Sequence, residues 1–238
     1  MHALRGAAMT RVSLLMPALD EEGALPGILA RIPGWVDRVV VADNGSTDRT
    51  AEVARVGGAE VVREEERGYG AACLAGIRHL SQSGTAPDVL VFMDADGSDD
   101  PADIERLIMP IHEGRADLVL GVRRGVKGEV GTILPHARLG NRIVLGLVWL
   151  LFRKRFADLP PFRAISFDAL QRLEMDDRNW GWTLQMQIRA ARTGLAIEEV
   201  EVGHRRRTEG VSKISGRLSM SLRVGAKMFW TLGRERLR

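Results

Sequence analysis

The sequence lacks the marks of several large protein classes. It has one cysteine, Cys73, so no internal disulfide can form, and a reducing cytoplasm suits it. Cys73 lies in an apolar stretch without a histidine nearby, as a packing residue does. Long hydrophobic runs are missing as well. The longest, "IVLGLVWLLF" at 143–152, falls short of the about 20 residues that a bilayer-spanning helix needs. The opening "MHALRGAAMT" has no apolar core of the secretory kind. Charge of one sign is in small excess, +3 overall, which does not make a polycation and gives no expectation of nucleic acid as a partner. No G-x-G-x-x-G follows the first apolar run, which argues against a dinucleotide-binding protein. The segment found there, "PALDEEG", is acidic and without lysine. A nucleotidyltransferase would carry a glycine-rich, basic stretch in its place.

What is present is an ordinary globular composition, 45% hydrophobic and 27% charged over 238 residues, enough for a substantial core. Apolar runs alternate with helical patterns. Strands are predicted at 11–17, 36–43, a short one in "AEVVRE", 88–94 and 116–123. Helices are predicted after "DEEG", in "GSTDRTAEVARVGG" with Ser46 or Thr47 as its cap, at 68–80, and in "PADIERLIMPIHEG". The near-continuous apolar strands predict an α/β sandwich on a mostly parallel sheet covered on both faces. Beyond 123 the alternation changes. A glycine-rich loop, a helix at 137–153, a helix at 182–194, the alternating strand "LAIEEVEVGH", a basic loop and a final helix are expected. These read as an elaboration on the same sheet.

Ligands of open parallel sheets bind beyond the carboxyl ends of the strands. The first strand runs into Asp20, Glu21 and Glu22, the second ends at Asp43 and the fourth at Asp94. In "VFMDADGSDDP" four aspartates crowd into seven positions. Asp94 and Asp96 are two apart, so in extended chain they face one way. They could share a divalent cation with a diphosphate, which also relieves their repulsion. Asp100 precedes Pro101 and suits a helix N-cap, with Asp103 in the first turn. Asp99 has no such assignment and reads as solvated.

The segments "VSLLMPALDEEGALPGIL", "VVVADNGSTDRTAEVA", "GYGAACLAGI" and "VFMDADGSDDP" resemble, in order and spacing, those of family 2 glycosyltransferases. "RRRTEGVSKISG" is similar to the basic R-x-x-G-x-S-K loop of the polyprenyl-phosphate (dolichol-phosphate) mannosyltransferase branch. The resemblance covers nearly the whole chain and implies a GT-A-type fold with a mostly parallel central sheet. It implies one domain over 1–238: a nucleotide-sugar half at 11–123, an acceptor half at 124–216 and an amphipathic helix at 217–238. It implies transfer of a hexose from GDP-mannose or UDP-glucose to an acceptor, such as a polyprenyl phosphate, with Mg²⁺ or Mn²⁺. Pro17, Leu19 and Glu21 would line the nucleobase pocket, Asp43 would bond the base or ribose, and Gly70 would admit the nucleotide. Asp94 and Asp96 would hold the metal and diphosphate. The chain departs from the family at Asp20, often Asn, and at Asn44, often a second Asp.

Many members have an acid on the helix matching 182–194, where this chain has Gln185. A glutamine takes no proton, and a sugar-hydroxyl acceptor needs a base. Asp158 could replace it, or could only orient loops. A phosphate acceptor is already ionised and needs none, so the pattern leans that way. A small hydroxyl acceptor and a non-catalytic nucleotide-sugar binder stay open. Arg123, Arg138, Arg207 and Lys213 would neutralise phosphate oxygens, with Ser212 in the glycine-containing loop. His136 and His204 read as loop histidines. On the last helix Leu218, Leu222, Phe229 and Leu232 are predicted on one side and Arg223, Lys227, Arg234 and Arg238 on another. A peripheral place on the cytoplasmic membrane face, a packed helix and a homodimer contact all fit this pattern.

Overall fold

The structure is a computed structural model that describes residues 10–125, 135–205 and 218–238. Its centre is a seven-stranded sheet in the order β3-β2-β1-β4-β6-β5-β7. The strands are β1 (Val12–Ala18), β2 (Arg38–Asp43), β3 (Glu60–Arg63), β4 (Val89–Phe92), β5 (Leu118–Gly125), β6 (Arg163–Ser166) and β7 (Ile197–His204). All neighbours are parallel except β6, which is antiparallel to both β4 and β5. The predicted mostly parallel sheet is therefore present, with one reversed strand inserted between β4 and β5.

The helices are α1 (Leu25–Leu29), α2 (Thr50–Val56), α3 (Tyr69–Gln82), α4 (Ile104–His112), α5 (Pro135–Phe152), α6 (Phe167–Arg172), α7 (Trp182–Arg192) and α8 (Leu218–Leu237). They cover both faces of the sheet. Along β1, Leu14 and Met16 pack with α1, α2 and α4, while Leu15 packs with α3, α5, α7 and α8. Both faces of the central strands are thus buried, which explains why they read as unbroken apolar runs rather than alternating ones. The second half supplies β6 and β7 to the same sheet.

Several local expectations change. Neither Ser46 nor Thr47 caps α2. The N-cap position is Arg49, without a side-chain cap bond, and the Asp48 carboxylate before it accepts the Thr50 N–H at 2.9 Å. Ser46 and Thr47 instead bind the first loop: the Ser46 hydroxyl accepts the Asp20 N–H, and Thr47 donates to the Asp20 carboxylate. Asp20 adopts φ +48°, a left-handed conformation that Asp and Asn tolerate best among side-chain-bearing residues. The departure at 20 keeps that tolerance. On α8, Phe229 is exposed and Leu232 buried, so they do not share a face.

Glycine is required where α3 begins. A Cβ on Gly70 would overlap the backbone carbonyl of Asp177, and one on Gly68 would overlap that of Arg178. The Arg178 carbonyl also accepts the Ala71 N–H at 2.9 Å. Gly70→Ala is expected to cost about 1–3 kcal/mol, since backbone cannot yield as a side chain end can. The urea midpoint measures it, and an unchanged midpoint would show that the 177–178 backbone moves freely.

Candidate active site

The carboxyl ends of β1, β2 and β4 lie side by side. Ala18 pairs with Asp43 and Leu15 with Phe92, so the loops after them leave one edge of the sheet together. Above this edge is a cavity of about 380 Å³, within the range of nucleotide and cofactor sites. Pro17 at the end of β1 and Leu19 and Glu21 in the loop after it line one side, and Asp94 and Asp96 line it from the loop after β4. Five of the predicted site residues are therefore brought together.

Asn44, Arg67, Gly68, Tyr69, Asn179 and Trp180 complete most of the remaining wall. Asn179 and Trp180 come from the loop before α7, more than eighty positions from Asp94. No local pattern announces them. Asn44 had a signal, as the departure from a second aspartate. Its amide donates to the carbonyls of Glu64 and Glu66 at 3.2 and 2.6 Å, and its oxygen accepts the Gly68 N–H at 2.7 Å. A carboxylate could not make the two donations. Asp43 is buried beside the cavity and accepts the Ser46 N–H at 2.9 Å. Gly70 does not line the wall. What it admits is the Asp177 backbone, and Gly68 holds the place at the cavity.

Asp94 and Asp96 are not in extended chain. Residues 95 and 96 form a turn that Gly97 closes at φ +77°. Asp96 is 4% exposed, and its carboxylate accepts the Ser98 N–H at 2.8 Å. Asp100 accepts the Ala102 N–H at 3.1 Å at the head of a short 3₁₀ turn, Pro101–Asp103, and is the predicted cap. Asp99 overturns its reading. It is 2% exposed, and both its oxygens lack a hydrogen-bond donor. Burial raises its carboxyl above the usual range, His204 opposes that rise, and the charge of Asp96 adds to it. His204 Nδ1 lies 3.5 Å away. His204 is thus no free loop histidine but the half-buried neighbour of Asp99, where β7 ends against the aspartate loop. The Arg205 N–H bonds the Ser98 carbonyl at 2.9 Å, and its guanidinium pairs with Asp100 at 3.0 Å.

These residues fit a hard divalent cation. Asp94 and Asp96 offer oxygen ligands in the cavity wall, the ligand type such a cation takes. Among the described residues no three His, Cys, Asp or Glu side chains converge on a point. A cation held by Asp94 and Asp96 would complete its shell from a diphosphate and water, as Mg²⁺ commonly does.

Arg123, at the end of β5, forms a two-pronged pair with Asp158 at 2.7 and 2.8 Å. Burial opposes its charge, but Asp158 more than offsets this, with help from Asp99 and Asp94, and its pKa is raised. Asp158 in turn is pushed up by burial and pulled further down by Arg123, to below the usual carboxylate range. A carboxylate held that way is a poor proton acceptor, so Asp158 orients Arg123. Arg163 is fully buried on β6, where burial lowers it to about 10, still cationic at neutral pH. It donates to the carbonyls of Pro160 and Thr183. Arg138 belongs to α5. Arg207, Ser212 and Lys213 lie outside the described residues.

Gln185 does not face the cavity. It is fully buried, accepts the Asp176 and Asp177 N–H groups, and donates to Asp176 and Glu235. Its amide is what lets two carboxylates and two backbone donors meet at one point. Gln185→Glu would replace donors by a third carboxylate. A loss of about 2–4 kcal/mol is expected in thermal unfolding, with no gain in turnover. A variant as stable as the parent would refute the structural role.

A parallel-rich sheet with acids at its carboxyl edge beside such a cavity is the GT-A architecture of nucleotide-diphospho-sugar transferases. Residues 13–177 match the model of glycosyl transferase family 2. The chain belongs to that family and is a glycosyltransferase. A glycosyltransferase of Mycobacterium bovis is 39% identical over 226 residues, spanning 92% of this chain and 96% of the relative. The undecaprenyl-phosphate mannosyltransferase of Micrococcus luteus is 34% identical over 226 residues, spanning 87% and 88%. Among solved structures, the glucosyl-3-phosphoglycerate synthase of Mycobacterium tuberculosis with Mn²⁺, UDP-glucose and phosphoglyceric acid matches with TM-score 0.72 at 27% identity. The match covers 94% of this chain and 80% of that one.

Proposed function

We propose that the protein transfers a hexose from a nucleotide-diphosphate sugar, GDP-mannose or UDP-glucose, to a polyprenyl phosphate. The observation that carries the reading is the cavity at the sheet edge, with Asp94 and Asp96 in one wall and Pro17, Leu19 and Glu21 in another. The Micrococcus luteus relative, named for undecaprenyl phosphate, supports the acceptor. The mycobacterial synthase crystallised with Mn²⁺ and UDP-glucose supports the donor and metal.

In the transfer the bond from the anomeric carbon to the diphosphate breaks, and one from that carbon to an acceptor phosphate oxygen forms. The nucleoside diphosphate leaves with the electron pair. A divalent cation, when bound by Asp94 and Asp96, supplies charge that stabilises this leaving group. The chain's own part is positioning. The first loop and Asn44 shape the nucleotide end, and Arg123, fixed by Asp158, adds positive charge close to Asp94 and Asp99. An ionised phosphate brings no proton to remove. That agrees with the engagement of Gln185 and Asp158 elsewhere. Arg138, Arg207, Ser212 and Lys213 are proposed as contacts for the acceptor phosphate or the leaving diphosphate.

A thermal-shift screen of nucleotide sugars with Mg²⁺ or Mn²⁺ tests the donor. A ligand at about 100 times its Kd stabilises by about 2.7 kcal/mol. GDP-mannose or UDP-glucose with metal should raise the melting temperature, and EDTA should remove the shift. No shift with any nucleotide sugar would refute the reading.

A further inference from the structure

We infer that the outward faces of α5 and α8 dock the protein on an anionic lipid bilayer. Among the described residues seven large hydrophobic side chains are exposed, and six of them sit on these two helices: Ile143, Trp149, Leu150, Phe229, Trp230 and Leu237. The spacing is helical. On α8 the outward stripe is Ala226, Phe229, Trp230, Gly233 and Leu237, at steps of three and four, while Thr231, Leu232 and Glu235 face inward. On α5 it is Ile143, Gly146, Trp149 and Leu150, while Val144 and Val148 face inward. Each helix is therefore apolar on its packed side and again on its open side. The two pack against each other, so the stripes are neighbours. An apolar surface of this kind on a globular protein marks an interaction site.

The charge around the stripes says what covers them. Arg142, Arg153, Arg223 and Arg236 are exposed beside them. α5 contains no acid, and the single acid of α8, Glu235, is 1% exposed and paired with Arg189 at 3.0 Å. Both exposed tryptophans carry a cation on the ring: Arg155 over Trp149 at 5.1 Å, and Lys227 and Arg234 over Trp230 at 4.2 and 5.0 Å. Tryptophan and arginine beside a shallow apolar stripe suit the headgroup layer of a membrane with negative charge. No helix among the described residues is long and apolar enough to cross a membrane, so the contact is peripheral. A second copy of the chain is the poorer partner. A two-fold contact would set one cationic rim against the other, with no exposed carboxylate on either helix to meet it.

The surface is tied to the cavity. Lys227 on α8 pairs with the buried Asp177 at 2.8 Å, and Asn179 and Trp180, which follow in the same loop, line the cavity wall. The inference deepens the lipid-acceptor reading by naming the surface that meets the lipid, but its observations do not depend on that reading.

The test is co-sedimentation of the full chain with phosphatidylcholine vesicles, with and without phosphatidylglycerol, in the absence of donor and polyprenyl phosphate. Binding should require phosphatidylglycerol and weaken with salt. The double variant Trp149→Ser/Trp230→Ser should bind about tenfold or more weakly. Arg142→Gln/Arg153→Gln/Arg236→Gln should lose the dependence on phosphatidylglycerol. Both variants should keep the parent's circular dichroism and its turnover of a short-chain, water-soluble polyprenyl phosphate. Docking is overturned if the parent stays in the supernatant, if folded variants bind as the parent does, or if ultracentrifugation shows a dimer that the tryptophan substitutions dissolve. Parent protein that glycosylates the short-chain acceptor without binding vesicles removes the docking and keeps the acceptor. Vesicle binding without turnover of any lipid phosphate supports the docking and removes the acceptor.

Discussion

Asp96→Asn should stop sugar transfer and leave the protein folded. The asparagine oxygen can still accept the Ser98 N–H that the carboxylate holds at 2.8 Å, so the turn closed by Gly97 survives. What is lost is one negative oxygen ligand in the cavity wall. Stabilisation of a departing charge is worth several kcal/mol in such sites, so a fall of about 10³-fold or more in turnover is expected. Asp96→Ala should be equally inactive and about 1 kcal/mol less stable, because it also drops the Ser98 bond. Release of nucleoside diphosphate, measured beside the melting temperature, checks both. Undiminished release in either folded variant would end the metal assignment.

Asp158→Ala should be the most damaging single change to stability. Arg123 and Asp158 have side chains only 15% and 11% exposed, joined by two short hydrogen bonds. Asp158 also accepts the Leu159 N–H at 2.7 Å. Removing it strands a guanidinium away from water, at a cost of about 3–5 kcal/mol. Because Asp158 titrates below its ordinary value in the folded protein, its contribution is fully present above the unfolded carboxyl value, about 3.9. It fades as pH falls through the lower folded one. The gap between parent and variant in urea unfolding should therefore narrow in acid. A loss below about 1 kcal/mol at neutral pH would mean that water, not Asp158, satisfies Arg123.

The parts of the molecule that were legible from sequence are those where one signal coincides with one element. β1, β2 and β4 each run apolar into an acid or an acidic loop, so strand, edge and site coincide. β6 was not legible. It is four residues long with Arg163 at its start, and its reversed direction follows from a long return of the chain that no local pattern records. Asp99 was misread for a related reason. Acids are rarely buried, and the histidine that accompanies it comes from the end of a strand a hundred residues away. Gln185 looked like a missing base because position on a helix was legible and orientation was not. Its surroundings, Asp176, Asp177 and Glu235, come together only when α8 packs on α7. The cavity wall at Asn179 and Trp180 depends on the same packing.

The proposed reaction is a metal-assisted transfer of a hexose to a lipid phosphate. Its most direct test is transfer of labelled hexose from GDP-mannose and from UDP-glucose to undecaprenyl phosphate, read as label in the organic phase, with Mn²⁺ or Mg²⁺ and then with excess EDTA. One of the donors should give an organic-soluble, phosphate-linked hexose, absent with EDTA and absent with Asp96→Asn. Label that enters the lipid equally well in EDTA, or that never leaves the aqueous phase while the purified protein binds its donor, would contradict it.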